Sequence, residues 1–159
     1  AAIKAGRVDD HLVINTDFAP TFLAVAGVSV PSDMQGRSLV PLLRTQDAGG
    51  WRTSFYYRYY HDPGDHNTRA HYGVRTDTHK LICFWKQDQW ELYDLRQDPE
   101  ELRNLYVDPQ QQEVIARLKT ELFRLKKELK DEDQFADQQP PHDVSGQPVS
   151  VGKKKGKKG

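Results

Sequence analysis

Apolar positions fall into distinct regimes along the chain. Phe18, Phe22, Val25 and Ala26 recur at i, i+4, i+7 and i+8, the spacing of one helical face. Asp17 stands where an N-cap belongs, Pro20 is tolerable in a first turn, and Gly27 is a natural stop just past the end. These signals predict a short buried helix of about ten residues. A helix of that length is not stable alone and needs a partner surface, which the first 45 residues do not obviously supply. The stretch from Pro31 to Pro41, with two prolines and a glycine, reads as a docked linker ending in Leu42 and Leu43. Asp47 to Gly50 reads as a turn.

The pattern then changes to short runs rich in aromatic and β-branched residues. Phe55 to Tyr60, His71 to Thr76, Lys80 to Trp85 and Trp90 to Leu95 read as four strands at about ten-residue spacing, an antiparallel meander. Turns are expected at Asp77 to His79 and at Lys86 to Gln89. On the first strand, Tyr57 and Tyr59 share one face while Tyr56, Arg58 and Tyr60 share the other.

A helical period returns after Asp98-Pro99. Asp108 is a candidate N-cap, with Pro109 at the first position and Gln111 at the third. Val114, Leu118, Leu122, Leu125 and Leu129 follow as one apolar stripe, which predicts burial of a long helix against the sheet. Residues 136 to 159 hold prolines, glycines and a lysine run without further aromatics, and are expected to be a disordered, solubilising tail.

Charge sharpens this division. The 159 residues carry 23 basic and 23 acidic side chains, but five of the lysines lie between Lys153 and Lys158. Without them the body has a net charge of −5, which argues against a nucleic-acid partner. No apolar run is long enough to span a membrane. The single cysteine, Cys83, excludes an internal disulfide and a Cys-based zinc site.

Candidate chemistry concentrates between residues 61 and 71. His61, His66 and His71 recur every five residues, with Asp62 and Asp65 between them. That spacing matches neither one helix face nor a compact chelate, so no metal ligand is assigned. A polar loop whose histidines hydrogen-bond a ligand fits better. The tyrosines around Arg58 offer a platform for a sugar or a base, with half of them expected to pack under the long helix. No nucleophile elbow, P-loop, dinucleotide fingerprint or metalloprotease motif occurs.

The order of four segments carries a resemblance. Asn15 to Gly27 followed by Val30 to Leu43 resembles the end of the main domain of type I, formylglycine-dependent sulfatases. His71 to Ile82 is similar to that family's C-terminal hairpin, and Trp90 to Leu105 to the strand and turn after it. The branch resembled is that of N-acetylglucosamine-6-sulfatases and related glycan sulfatases. The resemblance implies an α+β subdomain, a four-stranded antiparallel sheet packed by one long C-terminal helix, preceded by the tail of an α/β, alkaline-phosphatase-like domain. Residues 1–45 would end that main domain, 46–131 would form the C-terminal subdomain, and 132–159 the Lys-rich tail.

The resemblance also implies hydrolysis of sulfate esters of carbohydrate in a periplasmic or secreted protein. Formylglycine and Ca²⁺ are expected in a missing N-terminal domain, which would be this segment's partner. The family's Cys/Ser-X-Pro/Ala-X-Arg motif does not occur here, since Cys83 is followed by Phe84 and Trp85. No catalytic residue, metal ligand or cofactor is therefore assigned to this segment, which is expected to be inactive alone. His71, then His61 and Arg69, are the expected substrate contacts. The competing reading is a free-standing, non-catalytic module that holds anionic glycan.

Overall fold

The computed structural model describes residues 3, 5–44 and 49–137. The chain divides into two compact units, one made of 1–55 with 75–78 and the other of 56–74 with the residues from 79 onward. The lysine run and the first two residues of the expected turn at 47–50 lie outside the described residues.

In the first unit a 3-10 turn, Asn15–Asp17, leads into α1 (Phe18–Val25). Gly27 ends the helix at φ +71°. Val28 N–H donates to Leu23 O at 2.9 Å and Gly27 N–H to Ala24 O at 3.3 Å, a closure that needs a residue free to adopt positive φ. Two expectations fail here. Asp17 makes no side-chain cap to α1. Its carboxylate is fully buried and accepts from Ile14 N–H, Arg37 N–H and the Arg52 guanidinium, at 2.9, 2.8 and 2.5–2.7 Å. A buried charge takes the strongest donors it can reach, and a helix-end amide is weaker than a guanidinium. The predicted buried face is also open: Phe18, Phe22 and Val25 are 55%, 70% and 71% exposed. The buried residues of α1 are Pro20 and Thr21 instead. The stretch read as a linker to Pro41 instead enters one helical turn, α2 (Val40–Arg44), whose last carbonyls, of Leu42 and Leu43, accept from Arg7.

The sheet has the order β1 (Ser54–Tyr59), β2 (His71–Thr76), β3 (His79–Phe84), β4 (Gln89–Asp94). Each strand starts within one residue of its expected position. β3 and β4 are antiparallel, with Leu81 opposite Leu92 and Cys83 opposite Trp90. Asp108 accepts from Gln110 N–H at 2.9 Å and opens a 3-10 turn, Pro109–Gln111, before α3 (Gln112–Glu128).

Strand alternation puts Tyr72, Val74, Leu81, Cys83 and Leu92 on one face, where they meet Ile115, Leu118 and Leu122 of α3. The buried line on the helix is rotated from the predicted stripe. Ile115 replaces Val114 at its centre, and Val114 and Leu125 pack only partly. Tyr56 and Trp85 extend this core. Asn104 covers the outer edge of β4: its Oδ1 accepts from Leu92 N–H at 3.0 Å and its Nδ2 donates to Trp90 O at 3.1 Å. None of the helices among the described residues is long and apolar enough to cross a membrane.

Candidate functional site

The face of the sheet turned away from α3 carries Tyr57, Tyr59, His71 and Phe84, by the same alternation that buries their neighbours. His71 lies among the other three rings. Its ring stacks on Tyr59 at 5.7 Å and 25°, meets Tyr57 edge-on at 5.8 Å, and lies 5.5 Å from Phe84. His61 approaches Tyr59 as well, at 5.7 Å. Tyr59 thus joins the two histidines that the sequence singled out. His66, the third of the five-residue repeat, is exposed in a 3-10 turn at φ +58° and belongs to no such cluster.

The loop after β1 closes over this face because of Gly64. A Cβ there would fall 1.8 Å from the Tyr59 hydroxyl, so only glycine permits the approach. Gly64 N–H donates to Thr68 O at 2.7 Å and pins the loop to itself. His71 Nδ1 lies 2.8 Å from Arg69 O. A carbonyl only accepts, so Nδ1 carries the proton, and Nε2 of the neutral ring is an acceptor. In that tautomer His71 takes a hydrogen bond from a hydroxyl, and it donates to an anion only when protonated.

Arg69 is half exposed, and its Nη1 pairs with Asp62 Oδ1 at 3.2 Å. Asp62 is nearly buried, and its other oxygen accepts from Gln87 Nε2 at 3.3 Å. Asp62 and Gln87 were not among the expected site residues. Asp62 was read only as one of the carboxylates between the spaced histidines, and a lone glutamine in the turn 85–88 gives no signal in a single sequence. The site therefore combines an aromatic floor, an imidazole acceptor and a half-free guanidinium. Chemically, that set can stack on a ring, accept from a hydroxyl and pair with an anion.

The opposite face is structural. Arg58 reaches Asp131 at 2.7 and 2.8 Å and Asp133 at 2.5 Å, with its guanidinium over Trp85, Tyr60 and Tyr72. Burial would raise the Asp131 carboxyl, but the Arg58 and Tyr56 hydrogen bonds outweigh it and hold it below the ordinary carboxylate range. Half of the tyrosine platform is thus committed to packing, as the alternation predicted.

The Cys83 thiol is 4% exposed and pushed up by burial, so it stays protonated at neutral pH. Among the described residues no group of three or more His, Cys, Asp or Glu side chains is placed to hold a metal ion.

Comparison with known proteins gives this geometry a context. Residues 1–128 match the family N-sulphoglucosamine sulphohydrolase, C-terminal. The chain is 43% identical over 135 residues to an N-acetylglucosamine-6-O-sulfatase of Bacteroides thetaiotaomicron, covering 83% of this chain and 24% of that one. An arylsulfatase of Clostridium perfringens is 29% identical over 121 residues, 76% of this chain and 24% of the relative. A solved structure held in complex with its substrate, D-glucosamine-2-N,6-O-disulfate, superposes with a TM-score of 0.80 at 41% identity, covering 87% of this chain and 28% of that chain. The chain spans about a quarter of the length of these relatives.

Proposed function

Because the chain belongs to the N-sulphoglucosamine sulphohydrolase C-terminal family, we propose that it is the C-terminal part of a sulfatase that removes sulfate from a sulfated carbohydrate. In this reading residues 1–45 complete the main α/β domain. The exposed Phe18, Phe22 and Val25 of α1 pack on the rest of that domain, which accounts for an apolar helix face open in this chain. Residues 46–131 are the C-terminal subdomain, and the loop from His61 to His71 rims the substrate pocket. The observation that carries the reading is the cluster around Tyr59, where His61 and His71 meet an aromatic floor and the Arg69 carbonyl holds His71 Nδ1. Aromatic rings stack on the apolar face of a sugar, His71 Nε2 accepts from a hydroxyl, and Arg69 receives an anionic substituent.

Formylglycine and Ca²⁺ belong, in this reading, to the catalytic portion, where they supply the nucleophile and polarise the sulfate oxygens. The residues described here do not fit either group: Cys83 is buried in β3 and the acidic side chains form no ligand set. The segment positions substrate and performs no bond cleavage itself.

The test is a His71→Ala substitution in the protein that joins this segment to its catalytic portion. Steady-state kinetics on glucosamine 6-sulfate should show kcat/KM reduced by on the order of tenfold or more, the loss expected when a substrate hydrogen bond is removed. An unchanged kcat/KM would sink the assignment.

A further inference from the structure

Gln87 sits in the turn 85–88 between β3 and β4, 25 residues from Asp62 in sequence, and its Nε2 donates to Asp62 Oδ2 at 3.3 Å. Asp62 in turn holds Arg69 through Oδ1 at 3.2 Å. These three side chains come from two separate segments and form one line: amide, carboxylate, guanidinium. The burial along it is graded. The Asp62 side chain is 7% exposed and that of Arg69 is 51% exposed, so the line runs from a nearly buried carboxylate to a solvent-facing cation.

The orientation of the amide is imposed rather than arbitrary. A flipped Gln87 would set its carbonyl against the Asp62 carboxylate, acceptor against acceptor, so the nitrogen must face Asp62. That choice leaves Gln87 Oε1 buried without a hydrogen-bond donor among the described residues. Asp62 also needs the amide. With one oxygen committed to Arg69, a nearly buried carboxylate requires a donor on the other to keep a single orientation. Among the described residues Asp62 is the side chain that anchors Arg69, and a long cationic side chain with one partner is only as well placed as that partner.

We propose that Gln87 is a positioning residue of the substrate site, which fixes Asp62 and through it aims the Arg69 guanidinium at the anionic group of the bound sugar. This rests on the reading of Arg69 as a substrate contact. Gln87 touches no substrate, so its loss weakens binding without altering the chemistry of the bound complex. The signature is therefore a raised KM with kcat preserved.

The experiment uses the calcium-loaded protein carrying this segment with its catalytic portion, and glucosamine 6-sulfate and its N-sulfated derivative as substrates. Gln87→Met keeps the side-chain volume and removes both hydrogen-bonding groups, and Gln87→Ala removes the side chain. Either should raise KM on the order of tenfold while kcat stays within about twofold, the size expected for coupled neighbours in one network. In an Arg69→Ala background the same substitutions should add less than about a twofold further change, because the effect passes through Arg69. If Arg69→Ala raises KM and the Gln87 variants do not, the positioning role falls and the substrate reading stands. If Arg69→Ala itself leaves KM unchanged, the substrate reading falls and takes this one with it. Equal effects with and without Arg69, or a joint loss of kcat and thermal stability in Gln87→Met, would make Gln87 an independent contact or a packing residue and overturn the proposal.

Discussion

Arg58 on β1 and Asp131, just past α3, are 73 residues apart and share two hydrogen bonds, Nη1 to Oδ1 at 2.7 Å and Nη1 to Oδ2 at 2.8 Å. Their side chains are 4% and 9% exposed. The pair ties the chain leaving the long helix back to the first strand, across the same face that α3 covers. Tyr56 donates to Asp131 beside it, Asp133 adds a second carboxylate, and Phe135 meets Tyr60 edge-on at 6.3 Å.

Asp131→Ala should destabilise the second unit by about 3 kcal/mol, because removing one member of a buried pair leaves the other charge uncompensated. Asp133 is half exposed and recovers only part of the loss. Denaturant unfolding followed by tryptophan fluorescence reads this directly, since Trp85 lies against the Arg58 guanidinium at 4.5 Å. A change below about 1 kcal/mol, the level of a surface ion pair, would show that the pair is not buried in solution.

The acid side of the stability profile follows from the same groups. Asp131 and Asp133 titrate below the ordinary carboxylate value in the folded chain: in each, burial raises the group and hydrogen bonds from basic neighbours outweigh it. A lowered folded pKa contributes stability that is complete above the unfolded pKa, near 3.8, and is lost as pH falls through the folded value. The second unit should therefore lose stability below about pH 4. Asp131→Asn should be less stable at neutral pH, and its deficit should shrink steadily as the pH falls. A deficit independent of pH would exclude the charge as its source.

Asn104 offers a third test. Its Oδ1 serves the N–H groups of both Leu92 and Tyr106, at 3.0 and 2.9 Å, and its Nδ2 serves Trp90 O. Leu92 is fully buried, so Asn104→Ala strands its amide. The expected cost is about 1–3 kcal/mol, with faster hydrogen exchange at the Leu92 amide. Asn104→Asp keeps the Oδ1 acceptor but sets a second carboxylate oxygen against Trp90 O where a donor stood, so whatever its net cost it should protect the Leu92 amide from exchange better than Asn104→Ala does. Equal exchange at that amide in the two variants would mean that the acceptor is not what matters.

Much of the fold could be read from single residues and their spacing. The runs 71–76 and 80–85 are β-branched and aromatic and flank the turn residues 77–79, so local propensity and turn chemistry agree on a hairpin, whose second strand starts one residue earlier, at His79. Asp108 and Pro109 announce α3 because a cap acts on amides two residues away. What escaped were pairings across long stretches of chain. Asp17 looks like a cap because a cap is local, but its partner is Arg52, 35 residues on. Arg58 looks like part of a tyrosine platform, and its carboxylates arrive only when α3 folds back. In the site, His61 and His71 were visible because histidine is rare and chemically distinctive. Gln87 was not, because its role depends on where one turn of the sheet meets one loop.

Gly64 sets how closely that loop meets the sheet. A methyl group at residue 64 would overlap the Tyr59 hydroxyl and ring, at 1.8 and 2.5 Å, so Gly64→Ala must push Tyr59 or the loop aside. Overpacking of this kind costs about 1–3 kcal/mol. The more telling consequence is local. Tyr59 is the ring that both His61 and His71 contact, so its displacement should separate them and change the ring-current shifts of both imidazoles in the NMR spectrum. The Arg58–Asp131 face should keep its signals, since it lies on the other side of the strand. If the substrate reading is right, Gly64→Ala should also raise KM for a sulfated glucosamine in the complete protein. Histidine shifts that stay where they were in Gly64→Ala would show that the loop does not pack on Tyr59 as described.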